Sequence, residues 1–227
     1  MRGDTRRVMF YAILLVGGLS LSGLAVAADQ PAAAPAPAVA PAPAVAPAPA
    51  APAAAAPALP MASASMLANA CTGCHGTNGV STGPASPTIA GITQEYFVET
   101  MGDFKNGKRH STIMGRIAKG YTDDEIKAMG KYYAGKKYVG HAQKVDPVKV
   151  AKGKTLHKSN CEKCHEEGGR VSEDGGILAG QWMPYLHFQM ADFTSGKTKM
   201  SEKMEKKVKP LSAADLDALI HYYGSQK

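Results

Sequence analysis

Two short strings in this chain have residue types and spacing suited to chemistry: Cys71-Thr-Gly-Cys74-His75 and Cys161-Glu-Lys-Cys164-His165. Together they use all four cysteines of the chain. Paired cysteines three apart serve dithiol redox exchange, zinc coordination or thioether attachment of a haem. The adjoining histidine and the setting decide among these. Two thiols one helical turn apart reach the two vinyl groups on one edge of a porphyrin. The next residue, a histidine, then turns beneath the ring and offers its imidazole to the iron. A zinc site made from both strings would need them close together in sequence, whereas 90 residues separate them. The strings therefore predict two covalently bound c-type haems, attached at Cys71 and Cys74 and at Cys161 and Cys164, with His75 and His165 as the proximal iron ligands.

The sixth ligand follows from a repeat. The motif recurs at an offset of 90, and so does a methionine, Met114 and Met204, each 39 residues after its histidine. A lone buried methionine is usually core filling. One repeated at a fixed distance from a proximal histidine is the expected distal ligand, so Met114 and Met204 are assigned to the two irons. Met101 and Met190 also repeat but lie on apolar helix faces and read as core; Met200 is the rival for the second iron. His110, His141, His157, His187 and His221 have no counterpart in the other repeat. That argues against bis-histidine ligation and makes them surface residues or neighbours of the ligands. Histidine–methionine ligation raises the reduction potential relative to two histidines and fills both axial positions. Such a site moves electrons and leaves no open position for a substrate, so the chain is not expected to be an enzyme on its own.

The elements that must position these residues share the repeat. Ala90-Gly91, Tyr96, Met101, Phe104 and Gly107-Lys108 match Ala179-Gly180, Tyr185, Met190, Phe193 and Gly196-Lys197 at an offset of 89. Thr122, Ile126, Tyr132 and Tyr133 match Ser212, Leu216, Tyr222 and Tyr223 at 90. So many pairs in one register mark an internal duplication. Thr122 to Glu125 is a capping box that opens a helix with Ile126, Met129, Tyr132 and Tyr133 on one face. Ser212 caps its equivalent, which buries Leu216, Leu219, Ile220 and Tyr223. Asp146-Pro147 starts a helix, and 94–104 and 184–193 read as shorter ones. Strand-like alternation is scarce. The fold class is all-α, two tandem class I cytochrome c domains over 65–140 and 141–227, joined by 136–145. A domain of about 80 residues has a meagre core of its own, and a haem supplies the apolar plate it lacks.

The start of the chain is different in kind. Arg2, Arg6 and Arg7 precede an apolar run from Val8 to Ala27 ending in Ala-Val-Ala, the pattern of a secretory signal, here 1–27. The rival is a retained anchor, since the run is long enough to span a bilayer. Residues 28–64 are an Ala/Pro-rich disordered spacer, semi-rigid and extended. Removal of 1–27 takes away three arginines and one aspartate and leaves 23 basic and 18 acidic residues, a net charge of about +5. The carboxylates of two haems would nearly cancel that, which argues against nucleic-acid binding. Lys197, Lys199, Lys203, Lys206, Lys207 and Lys209 surround Met204 and would suit an acidic redox partner as readily as plain solvent. Arg109 and Arg116 flank Met114 and are placed to pair with haem propionates or with water. Trp182 reads as packing on haem or between the domains. The expected compartment is the periplasm, with membrane contact only if the signal segment is retained.

Residues 65–227 resemble the dihaem cytochrome c subunit of flavocytochrome c sulfide dehydrogenase. The resemblance is carried by the two cysteine motifs, Gly83-Pro-Ala-Ser-Pro87, Ser111-Thr-Ile-Met-Gly-Arg-Ile-Ala-Lys-Gly-Tyr121 and Ile177-Leu-Ala-Gly-Gln-Trp182. It implies a heterodimer with a FAD-containing flavoprotein that oxidises sulfide. This chain would take electrons from the flavin, its first domain facing it, and pass them to a soluble cytochrome c. The Ala/Pro segment departs from that family. The alternative is a free-standing dihaem shuttle between respiratory or photosynthetic complexes. A third class, a dihaem enzyme acting on thiosulfate or peroxide, would need an exchangeable axial position.

Overall fold

The computed structural model describes residues 61–172 and 175–227, so the signal and spacer lie outside the described residues. Among these residues ten α-helical segments follow in order, with two short 3-10 turns at Thr77–Gly79 and Ala118–Gly120: α1 (Ala64–Asn69), α2 (Thr72–His75), α3 (Gln94–Lys105), α4 (Met114–Ile117), α5 (Asp123–Ala134), α6 (Pro147–Asn160), α7 (Glu166–Gly169), α8 (Met183–Thr194), α9 (Glu202–Val208) and α10 (Ala213–Ser225). Among the described residues there is no strand, only one isolated bridge, Glu166 to Val171. No described helix is long and apolar enough to cross a membrane.

The sequence explains where the helices start. Thr122 Oγ1 accepts from the Glu125 backbone N–H while the Glu125 carboxylate accepts from the Thr122 N–H, a capping box that satisfies two orphan donors. Ser212 and Asp215 do the same for α10. Asp146 caps α6, its carboxylate accepting from Val148 and Lys149, with Pro147 in the first turn. Thr93 and Ser63 cap α3 and α1. α3 buries Phe97 and Met101 against Ile126, Met129 and Tyr133 of α5 and Leu67 and Ala68 of α1. In the second half, Leu186 of α8 meets Leu219, Ile220, Tyr222 and Tyr223 of α10.

The two halves share fine detail. Gly79 and Gly169 lie 90 apart, both with positive φ, at 82° and 88°. Each carbonyl accepts two loop N–H groups, from Ile89 and Ala90 in one half and from Leu178 and Ala179 in the other. A Cβ on either glycine would press into the ring of Tyr133 or of Tyr223, so both the conformation and the close approach require glycine. Gly91 and Gly180 then donate to the carbonyls of the same two tyrosines, at 2.9 and 2.8 Å.

Helices α6 and α10 cross closely at Gly153. A Cβ there would sit 2.1 Å from the Ala218 carbonyl oxygen and 2.7 Å from Tyr222 Cβ. Gly153→Ala gains about 1 kcal/mol of helix propensity. Overpacking against backbone costs up to about 3 kcal/mol, so the collision wins. The variant is expected to lower stability by about 2 kcal/mol, read as a lower thermal midpoint. Gly102→Ala in α3, where the new methyl meets nothing within 4 Å, should instead hold or raise the midpoint.

Candidate haem sites

Each cysteine motif sits where a helix ends on a core. Cys71 follows α1 and packs against the first core, Cys161 follows α6 and packs against the second, and Cys74 and Cys164 are exposed. Burial pushes the Cys71 and Cys161 thiols up, partly opposed by the nearby hydroxyls of Tyr133 and Tyr223. Reactive dithiols have a depressed thiol pKa, so this is the wrong environment for thiol exchange. Among the described residues no three His, Cys, Asp or Glu side chains converge as a metal cage would require. The two strings therefore do not assemble one zinc site.

A haem is the group these motifs imply, and the first site fits it. His75 is 9% exposed, and its Nδ1 lies 2.8 Å from the Pro87 carbonyl. A carbonyl only accepts, so Nδ1 carries the proton and Nε2 keeps its lone pair for a metal. Burial lowers the His75 pKa against that hydrogen bond, which favours the neutral, ligating form. His165 is half-buried, and its Nδ1 is enclosed with no hydrogen-bond partner among the described residues. Burial, then the neighbouring His157, lowers its pKa as well.

Both candidate distal ligands open short helices and are half-buried, Met114 at the start of α4 and Met204 in the first turn of α9. Met204 N donates to the capping Ser201 hydroxyl, and Met114 packs against the first core. Met101 is 5% exposed in that core, and Met190 packs on the second, as the helix periodicity predicts.

The domains are tied by contacts that the sequence did not announce. Gln181, 3% exposed, accepts from Thr88 N and donates to Thr88 O, both at 3.0 Å. Trp182, expected on the haem or between the domains, takes the second place. Its Nε1 donates to the Ser81 carbonyl, and its ring stacks on His141 at 4.5 Å. Half-buried Arg109 reaches Tyr96 and Thr100 of its own domain and Gln189 of the other; its Nε is enclosed without a partner among the described residues. Arg116 is exposed. His110 pairs with Asp192 at 3.1 Å. His157, read as a surface residue or ligand neighbour, is 1% exposed, held by the Tyr223 hydroxyl and by Glu162. One signal for Gln181 was available: it stands where the other repeat has Ile92, a glutamine at a core position.

Comparison with known proteins bears on these sites. The cytochrome c family model matches residues 61–134, and that of cytochrome c oxidase, cbb3-type, subunit III matches 148–222. Cytochrome c4 of Pseudomonas aeruginosa is 31% identical over 172 residues, 68% of this chain and 83% of that one. The cytochrome subunit of sulfide dehydrogenase of Chlorobaculum tepidum is 48% identical over 68 residues. That match covers 30% of this chain and 61% of that subunit, less than two thirds of its length. The crystal structure of reduced recombinant cytochrome c4 from Pseudomonas stutzeri superimposes with a TM-score of 0.65 at 23% identity, covering 74% of this chain and all of that one. Two tandem helical cytochrome c domains are therefore the fold.

Proposed function

The chain belongs to the dihaem c-type cytochromes of the cytochrome c4 kind, electron-transfer proteins that bind haem, and from that premise we propose that it serves a sulfide-oxidising flavoenzyme. In this reading it is the periplasmic subunit that accepts electrons from a FAD-containing flavoprotein and passes them to a soluble cytochrome c. The observation that carries the reading is the stretch of high identity to the sulfide dehydrogenase cytochrome subunit.

When bound, haem supplies one-electron redox chemistry. The residues of the chain do the rest. Cys71 with Cys74, and Cys161 with Cys164, hold the two haems covalently. His75 and Met114 bind the first iron, His165 and Met204 the second. The Pro87 carbonyl fixes the His75 ring and raises its basicity. The enclosed Arg109 Nε between the domains has its proton free for a propionate carboxylate. Gln181 and Trp182 keep the domains at one separation, as transfer between two fixed centres requires.

The match to cytochrome c4 across both domains favours a second reading, a free-standing dihaem shuttle. Purification from the source periplasm at gentle salt separates the two. A flavin spectrum co-eluting with a larger protein, alongside two c-type haems per chain, is the expected result. Two haems with no flavin in any fraction would leave the shuttle.

A further inference from the structure

The duplication gives each domain the same face around its methionine, and the two faces have diverged in chemistry. In register, Ile113, Met114, Arg116, Ile117 and Lys119 fall on Lys203, Met204, Lys206, Lys207 and Lys209. The inward stripe is kept: Met114 with buried Ala118 in one domain, Met204 with buried Val208 in the other. The outward positions differ. Ile113 and Ile117 are 53% and 39% exposed; their counterparts Lys203 and Lys207 are exposed lysines. Lys197 and Lys199, just before α9, are exposed too, so six exposed lysines oppose two glutamates, Glu202 and Glu205, between 197 and 209.

None of these six lysines forms an ion pair among the described residues. Lys149 and Lys152 of α6 in the same domain are neutralised by Asp217 and Asp215, each at 2.6 Å. Like charges left unpaired within a Debye length of one another repel and raise the local potential. A face of this kind steers a partner of opposite sign. A lipid surface fits it less well. Membrane-binding helices insert apolar side chains, whereas the apolar residues of α9, Met204 and Val208, turn inward.

We propose that the lysine face around Met204, α9 with Lys197 and Lys199, is the docking surface for an acidic soluble one-electron acceptor protein, and that the equivalent face of the first domain is not. The proposal rests on the reading of Met204 as the second axial ligand. The step is outer-sphere: the chain loses one electron, the acceptor gains one, and no bond forms or breaks. The second domain is then the exit of the electron path.

The test is stopped-flow oxidation of the reduced, haem-loaded chain by an acidic blue copper protein as ionic strength is varied. K203I/K207I, which installs the residues of the first domain, is expected to slow the reaction about tenfold at about 10 mM salt. The gap should close to less than about twofold near 1 M, where charges are screened beyond about 3 Å. K206Q/K209Q gives a second reading of the same face should the first variant lose its haem spectrum. An unchanged low-salt rate in both variants overturns the proposal. So does an equal slowing by I113S/I117S, or loss of binding to anionic phospholipid vesicles with the protein rate intact. A wild-type spectrum without methionine ligation at the second haem would instead remove the premise, and the proposal with it.

Discussion

A chain carrying Cys161→Ala and Cys164→Ala is expected to hold one haem instead of two and to lose the fold of its second domain well before the first melts. Among the described residues, the largest buried cluster of the second half has five members, Leu186, Leu219, Ile220, Tyr222 and Tyr223, against nine in the first, although Ala179, Val208 and Ala218 are buried as well. That is little for a unit of its length, and small domains commonly need a cofactor or cross-link. Without the two thioether bonds the haem is held only through His165 and the distal ligand, and it can leave. Among the described residues the Nδ1 of His165 has no carbonyl partner of the kind that His75 has in Pro87, so the non-covalent hold is expected to be weaker at this site. The same substitutions in the first motif, Cys71→Ala and Cys74→Ala, should cost a haem but less structure. Haem content per chain, measured by pyridine absorbance, checks the first part. The fluorescence of Trp182, the chain's one tryptophan, checks the second. It lies against Ser81 and His141 and depends on α8 staying in place. A drop in the second transition of more than about 10 °C, equivalent to a few kcal/mol in a domain of this size, is expected. Two haems, or an unchanged second transition, would defeat the argument.

The legible part of this molecule was whatever repeats or is local. The offset of 90 located both motifs and both methionines, and the capping boxes at Thr122 and Ser212 fixed the starts of α5 and α10, because a cap is a contact between residues three apart. The domain interface left no such trace. Gln181 meets Thr88 across 93 residues and Arg109 meets Gln189 across 80. Such pairs have no periodicity, and the repeat hides them, since Arg109 stands opposite Thr198 and Gln181 opposite Ile92. Of the two places expected for His157, the surface or beside a ligand, it takes the second, next to His165 and fully buried. It occupies the register of Leu67, a core position, and is tolerated there because its ring packs against Tyr222 and edge-on to Tyr223, its Nδ1 meets the Tyr223 hydroxyl, and the Glu162 carboxylate lies 2.8 Å from its Nε2. A buried polar group is affordable when it is hydrogen-bonded, and that bonding becomes visible only once the fold brings the residues together.

Met204→His is expected to leave the second haem attached and to lower its reduction potential by on the order of 0.2 V, a part of the ~0.8 V range that axial ligands command. The argument runs through the chemistry of the donor. A thioether is a weak, soft ligand that favours the reduced iron, whereas an imidazole donates more strongly and favours the oxidised form. Position makes the substitution feasible. Met204 is half-buried in the first turn of α9, on the stripe it shares with Val208, and its backbone is fixed by the Ser201 cap. Met190→Leu is the matched control. Met190 repeats as faithfully as Met204 but packs on the second core from α8, so a leucine should keep its place and leave both potentials within a few tens of millivolts, about the size of a packing change. Potentiometric titration resolves the two haems as separate waves. One wave moving down in Met204→His with neither moving in Met190→Leu identifies the ligand by its electronic effect. An immobile pair of waves in Met204→His would move the assignment to Met200, four residues earlier in the segment that leads into α9.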